Sequence, residues 1–178
     1  MPIYRGTQRV TPRPGGQSVA RVYRGDRLVW QAGPVLPVVQ ITGTTGFESR
    51  NQFRQACIDH GTTYQTVQTL PFLLDTSQAT VITSMFSGCS SLTHVPDMDT
   101  SNVTDTRSMF QNCSSLTHVT DLDTSNVTDV RYMFQGCFAL TDGNVRCIGR
   151  HPNVSTNYMI AGSGLTRLPF FDTNGNPI

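Results

Sequence analysis

Histidines at a regular interval are the first residues in this sequence that could do chemistry. His94 and His118 occupy the same place in two matching segments, one repeat period apart, so their imidazoles could face each other. A zinc site needs three or four ligands, and no third ligand of matching character stands at this interval. We therefore expect no metal and no cofactor. We interpret both histidines as solvent-facing or partner-facing residues, and as candidates for contact with a ligand.

Aspartates form a second regular series, which could in principle bind Ca²⁺. Asp75, Asp99 and Asp123 follow one another at the same interval as the histidines and each precedes Thr-Ser, while Asp172 precedes Thr173. Aspartate and serine side chains also bond to the nearby backbone in turns and at helix starts. Because this local chemistry accounts for the pattern by itself, we favour turn-forming aspartates over a calcium site.

Cysteines give a third series at this interval, Cys89, Cys113 and Cys137. The total of five cysteines is odd, which argues against a complete disulfide framework. Disulfides or metal thiolates remain alternatives, but a thiol at one place in every unit favours a buried small hydrophobe. No Ser/His/Asp grouping, phosphate-binding loop or carboxylate pair stands out, so we do not expect an enzyme.

These residues belong to an internal sequence repeat, whose period is the interval common to all three series. Residues 84–95 recur almost unchanged at 108–119 and in part at 132–140, with degenerate copies on both sides. One unit cannot bury its apolar side chains alone, whereas adjacent copies could bury them as continuous ladders. The predicted ladder residues are Phe86, Phe110, Phe134, Cys89, Cys113, Cys137, Leu92, Leu116 and Leu140.

The repeat predicts the fold class. In each unit an extended segment at Leu92 and Val95 leads through a turn to a short helix, which Asn102 and Asp105 would open as a capping box. We predict an α/β repeat solenoid, a short leucine-rich-repeat-like stack of 24-residue coils with an N-terminal capping helix and a small β-hairpin arm.

The capping helix is predicted at residues 47–61. Thr44 or Thr45 could cap its start, and Gly61 suits the position after its end. Phe53, Ala56 and Cys57 form its apolar side, to which we add Phe47. Such a helix would cover the apolar end of the first repeat unit.

Across about residues 75–173, the Met-Phe-x-x-Cys-x-x-Leu-Thr pattern with Asp-Thr-Ser-Asn-Val-Thr-Asp resembles the BspA-like leucine-rich repeats of bacterial surface proteins. The resemblance implies a curved solenoid and a role in adhesion or recognition, and it implies no chemistry. The sequence contains few repeats, and we expect it to differ from that family also in lacking a wall anchor.

Residues 1–35 carry a weaker repeat, in which a Tyr-Arg-Gly turn stands between β-forming residues at 3–10 and at 22–30. This predicts two hairpins with too little apolar surface to fold alone. The segment holds six arginines and one aspartate. We predict a docking arm, with a nucleic-acid-binding segment as the less favoured alternative. The candidate docking residues are Tyr4, Arg5, Arg9, Tyr23, Arg24, Arg27 and Trp30.

This arm resembles the opening segments of minor structural proteins of siphophages that infect actinobacteria. The resemblance implies a virion location, reached by lysis, since Met1 is followed by no apolar signal-peptide region. With a net charge of +1 and no apolar run of membrane-spanning length, we expect no nucleic-acid partner and no membrane. The predicted domains are the docking arm, 1–35; a linker with the capping helix, 36–61; and the solenoid, 62–178.

The leading hypothesis is a phage accessory protein, either a minor tail protein or a capsid decoration protein. It would bind other tail or capsid proteins through its arm, in a homo-oligomeric assembly, and display the repeats to a host-surface glycan or protein. A cellular surface adhesin with BspA-like repeats is the first alternative. A purely structural decoration protein without a ligand is the second.

Overall fold

The computed structural model describes residues 8–11, 19–24, 27–34 and 36–178. Its internal contacts divide the chain into two compact units, Met1–Pro37 and Val38–Ile178. The predicted boundaries at 1–35, 36–61 and 62–178 stay a prediction.

The first unit contains three strands in one antiparallel sheet. Strands β1 (Gln8–Thr11), β2 (Val19–Arg24) and β3 (Arg27–Pro34) lie in the order β1-β2-β3. Arg9 pairs with Arg21, and Arg24 pairs with Arg27, which leaves two residues between β2 and β3. Tyr4 and Arg5 lie outside the described residues. The candidate docking residues Arg9, Tyr23, Arg24, Arg27 and Trp30 lie on strands of this sheet.

The second unit has one helix among its described residues, α1 (Gly46–Asp59). Thr45 is its N-cap, because the Thr45 hydroxyl accepts a bond from the Glu48 N–H and the Glu48 carboxylate accepts one from the Thr45 N–H, both at 3.2 Å. Hydrogen bonds from Thr44 and Thr45 lower the pKa of Glu48, and the bond from the Thr44 backbone N–H has the largest effect. After the helix, Gly61 adopts φ of 73°, as its position past the end requires. The predicted helix is confirmed, and of the two predicted cap residues, Thr44 and Thr45, Thr45 is the one that caps it.

The buried side of α1 packs on the rest of the unit. Phe53 is fully buried, with its ring centroid 4.7 Å from that of Phe86 in an edge-to-face contact. Ala56 and Cys57 are buried beside it. Phe47 does not belong to this side, because 75% of its surface is exposed. Phe47 lies six residues before Phe53, which places the two side chains about 120° apart around a helix of 3.6 residues per turn, so that part of the prediction is wrong.

The remaining strands of the second unit are short and parallel. They form three small separate sheets, with orders β4-β5, β6-β7 and β10-β9-β8. The strands are β4 (Val38–Gln40), β5 (Leu73–Asp75), β6 (His94–Val95), β7 (His118–Val119), β8 (Leu122–Asp123), β9 (Cys147–Ile148) and β10 (Phe170–Phe171).

The predicted α/β solenoid of leucine-rich-repeat-like coils is wrong. The described residues contain the single helix α1, and their strands belong to separate sheets of two or three strands. The helix expected after Asn102 is absent. Instead of capping a helix, the Asn102 amide donates to the Ser77 carbonyl at 2.9 Å, and Asp105 accepts from the Arg107 N–H at 2.8 Å.

The backbone of the repeats explains why no helix forms there. Ser84 and Ser108 have φ of 56° and 55°, in the left-handed region that interrupts a right-handed helix. Successive backbone N–H groups also donate to different parts of the chain. The Ser84 N–H donates to the Arg107 carbonyl of the next segment at 2.9 Å, whereas the Met85 N–H donates to the Ile82 carbonyl of its own turn at 3.2 Å. An α-helix instead sends every N–H to the carbonyl four residues earlier. The segments are therefore series of turns.

The core of the second unit lies among these turns. The Phe110 ring is stacked between Phe86, at 5.3 Å, and Phe134, at 5.5 Å, with planes within 7° of parallel. All nine residues of the predicted ladders are fully buried, namely Phe86, Phe110, Phe134, Cys89, Cys113, Cys137, Leu92, Leu116 and Leu140. Residues one period apart thus contact one another in the interior, although the units contain no helices.

Candidate functional site

The two histidines singled out by their spacing are neighbours on an exposed surface. Strands β6 and β7 pair His94 with His118, and the ring centroids are 6.0 Å apart. Both side chains are exposed, and the His94 ring contacts the Thr93 hydroxyl at 3.1 Å. Among residues 36–178, no group of three or more histidine, cysteine or carboxylate side chains is placed to hold a metal. This pair can therefore offer two adjacent polar rings to a partner.

The aspartate series is engaged in turns. Asp99 accepts bonds from the Ser101 N–H at 3.0 Å and from the Ser101 hydroxyl at 2.6 Å. Asp75 does the same with Ser77, at 3.1 and 2.7 Å. These serine bonds lower the pKa of Asp75 and of Asp99. Asp123 bonds Ser125 in the same way, and Asp172 bonds Asn174 and Asn176. The carboxylates of this series therefore stabilise turns by accepting hydrogen bonds from nearby residues.

Every cysteine of the chain is a free thiol in the interior. Burial raises the pKa of Cys57 to about 11 and that of Cys147 to about 12. A hydrogen bond with Cys89, together with burial, raises the pKa of Cys113. The Cys113 thiol also donates to the Phe86 carbonyl at 3.1 Å, and Cys137 donates to the Phe110 carbonyl at 3.0 Å. Thiols held this way are poor nucleophiles, because the thiolate is the reactive form.

We expect the native thiols to react slowly with an aromatic disulfide reagent at pH 8, for the same reason. The denatured protein, without reductant, should react at once and report all five thiols. The measurement is the absorbance of the released chromophore against time in buffer and in guanidinium. A Cys89–Cys113 or Cys113–Cys137 bridge in the mass spectrum of the untreated protein would contradict the buried-thiol interpretation.

Two open clefts flank helix α1. The first has a volume of about 440 Å³, and its lining includes Arg50, Thr83, Ser84, Asp105 and Arg107. It offers hydroxyls and a carboxylate, but no histidine. The second, of about 650 Å³, offers Asp59 and His60 but no hydroxyl or thiol. In the first cleft the Thr83 hydroxyl has no hydrogen-bond partner and Asp105 accepts from the Arg107 N–H, so no hydroxyl bonded to a base and an orienting group, as nucleophilic catalysis would need, is seen there.

Sequence reasoning missed two sets of residues. Thr76, Thr100 and Thr124 are buried and donate to carbonyls of the following segment; the Thr100 hydroxyl, for example, reaches the Asp123 carbonyl at 2.9 Å. The sequence feature that could have indicated this role is the threonine found at the same position in each of these units. Tyr132 and Tyr158 are stacked on each other near the surface. The sequence feature that could have indicated them is a tyrosine at the position where the two earlier units have serine.

Within the described residues, no helix is both long enough and apolar enough to cross a membrane. The family described as "Mycoplasma protein of unknown function, DUF285" matches residues 48–159, which is more than half of the chain. No curated protein and no solved structure matches this sequence.

Proposed function

Since the chain belongs to the DUF285 family of Mycoplasma proteins of unknown function, which is related to BspA-like repeat proteins, we propose that it recognises another surface and catalyses no reaction. The observation that carries this proposal is the regular exterior of the second unit. Identical side chains recur side by side, as His94 and His118 do at 6.0 Å. Matching side chains next to each other, on a packed interior, suit the recognition of an extended partner.

The interior supports the same proposal. The ladder cysteines and phenylalanines pack in the interior, and the aspartates Asp75, Asp99 and Asp123 are used in turns. The two clefts beside α1 lack the paired groups of a nucleophilic mechanism. What the second unit offers to other molecules is its outer surface.

We further propose that the protein is a virion accessory protein, a minor tail or capsid decoration protein. Residues 1–35 resemble the opening segments of siphophage structural proteins, and their six arginines outnumber one aspartate. Such a segment can dock on acidic proteins of the tail or capsid, where the planar guanidinium bonds carboxylates with two parallel hydrogen bonds. The second unit would then face the host surface.

A cellular surface adhesin is the alternative, and the family match over residues 48–159 favours it. Both proposals assign recognition to the second unit. They differ in where the protein is located, either on a phage particle or on the surface of the cell that produces it.

Fractionation distinguishes the two. Lysates of the producing strain would be separated into gradient-purified particles and cell envelopes, and the full chain would be quantified in each by mass spectrometry. The virion proposal expects the chain in the particles, at a fixed ratio to the major capsid protein. Recovery in the envelope fraction, with none in particles, would exclude the virion role and support the adhesin.

A further inference from the structure

Tyr132 and Tyr158 form an aromatic pair at the surface of the second unit. Their ring centroids are 5.4 Å apart, and the ring planes lie within 4° of parallel. Tyr158 has 64% of its surface exposed, and Tyr132 is half-buried. The pair lacks the burial of a core contact.

The backbone under this pair does not call for aromatic side chains. Tyr132 and Tyr158 have φ of 59° and 57°, a region in which a bulky residue is an outlier. The matching positions in the two preceding segments are serines with the same φ, Ser84 and Ser108. The Ser108 and Tyr132 N–H groups also donate alike, to Arg131 at 2.9 Å and to Asn157 at 3.2 Å. The turn therefore forms equally with serine.

Residues held at sparsely populated φ values cluster at binding and active sites, and here the fold requires the φ value but not the aromatic side chain. An exposed pair of tyrosines offers flat apolar ring faces and two hydroxyls, and such rings bind partners at a low cost in conformational entropy. What kind of partner fits depends on the polar groups next to the rings.

Those groups are neutral or already compensated. Arg131 precedes Tyr132, but its guanidinium is bonded to Asp129 by contacts of 2.7–3.0 Å. The backbone N–H of Gln135 bonds the Tyr132 carbonyl, and its side-chain amide keeps a donor, because its oxygen already accepts from the Gln111 amide. The exposed Asn157, which precedes Tyr158, adds an amide donor and acceptor. An anion would have to compete with Asp129 for Arg131. A neutral ring with an apolar face and hydroxyls at its edge fits better, and a pyranose sugar has both features.

We propose that Tyr132 and Tyr158, with Arg131, Gln135 and Asn157 beside them, form a binding site for neutral carbohydrate. One sugar ring lies on a tyrosine face, and its hydroxyls bond to the neighbouring amides and to the Asp129–Arg131 pair. The site rests on the proposed function, since it specifies the partner that the second unit recognises.

The repeat itself supplies the variant for a test. The double substitution Tyr132→Ser and Tyr158→Ser installs the residue that Ser84 and Ser108 already provide at the same φ, so the fold should persist. Phe47→Ser is the matched control, because it removes an aromatic ring that is 75% exposed on α1. Circular dichroism of the full-length chains checks folding.

The probe is an array of neutral hexose and N-acetylhexosamine oligosaccharides, followed by titration of each glycan that binds and by binding to intact host cells. We expect the wild type and Phe47→Ser to bind at least one glycan, and the double variant to bind it at least tenfold more weakly. Unchanged affinity of the double variant would overturn the site while leaving the proposed function intact. Binding to cells but to no neutral glycan would overturn the carbohydrate assignment in favour of a protein partner. Failure to bind glycans and cells alike would overturn the proposed recognition function as well.

Discussion

Replacing Phe110 by alanine should lower the free energy of unfolding by about 3–5 kcal/mol. The Phe110 ring is fully buried and is stacked between Phe86 and Phe134, at 5.3 and 5.5 Å. Its removal leaves a cavity. The surrounding turns cannot easily move to fill it, because they are hydrogen-bonded to the preceding and the following segments. In a domain of this size the loss corresponds to a melting temperature lower by about 10 °C. Urea denaturation followed by circular dichroism measures it.

Phe138→Ala is the control for this experiment. It removes the same side chain at a position with 69% of its surface exposed, where substitutions usually change stability by less than about 0.5 kcal/mol. Equal denaturation midpoints for Phe110→Ala and Phe138→Ala would show that the parallel phenylalanines do not form the core.

Replacing three of the six arginines of the first unit should strongly reduce incorporation into particles. In the variant Arg9→Gln, Arg24→Gln and Arg27→Gln, three candidate docking residues keep a polar side chain but lose the guanidinium that bonds carboxylates. Particle-associated protein, quantified after gradient purification, should fall at least tenfold relative to the wild type. The expected cause is loss of docking, so the folded fraction of the free protein should not change.

The matched variant neutralises three exposed arginines of the second unit, Arg107, Arg150 and Arg167. It lowers the net charge of the chain by the same amount, and it should be incorporated at wild-type levels. Incorporation of both variants at wild-type levels would refute docking through the arginines of the arm. Equal loss in both would indicate that net charge, and not the arm, governs assembly.

Local chemistry explains what could be predicted from the sequence. Helix α1 and its Thr45 cap were predictable because a capping box joins residues three apart, and its two bonds form within the segment itself. The burial of Phe53 followed from its position on the apolar side of the same helix. In both cases the deciding contacts are close in the sequence, or depend only on helical periodicity.

The repeats were harder to predict, because their backbone bonds join residues about one period apart. Apolar residues at Met109, Phe110 and Cys113 have nearly helical spacing, yet Ser108 adopts φ of 55° and its N–H bonds Arg131. Periodicity alone does not distinguish a helix from a series of turns with the same inward residues. The fold class was wrong for this reason.

The candidate site shows the same division. Equal spacing was enough to suggest that His94 and His118 could stand side by side, as strands β6 and β7 place them. Tyr132 and Tyr158 are separated by slightly more than one period, and they lie where the repeat departs from its pattern. Their contact depends on how an irregular segment is accommodated, which requires the tertiary structure.

Equilibrium binding of the full-length protein to purified host cell walls tests the central claim, surface recognition, most directly. Labelled protein would be titrated against a fixed amount of wall, with and without an excess of unlabelled protein. Recognition predicts a saturable isotherm that the unlabelled protein competes away and that the Tyr132→Ser and Tyr158→Ser variant weakens. Binding that rises linearly without saturation, and that excess unlabelled protein does not reduce, would contradict the claim. The protein would then be a structural protein without a ligand.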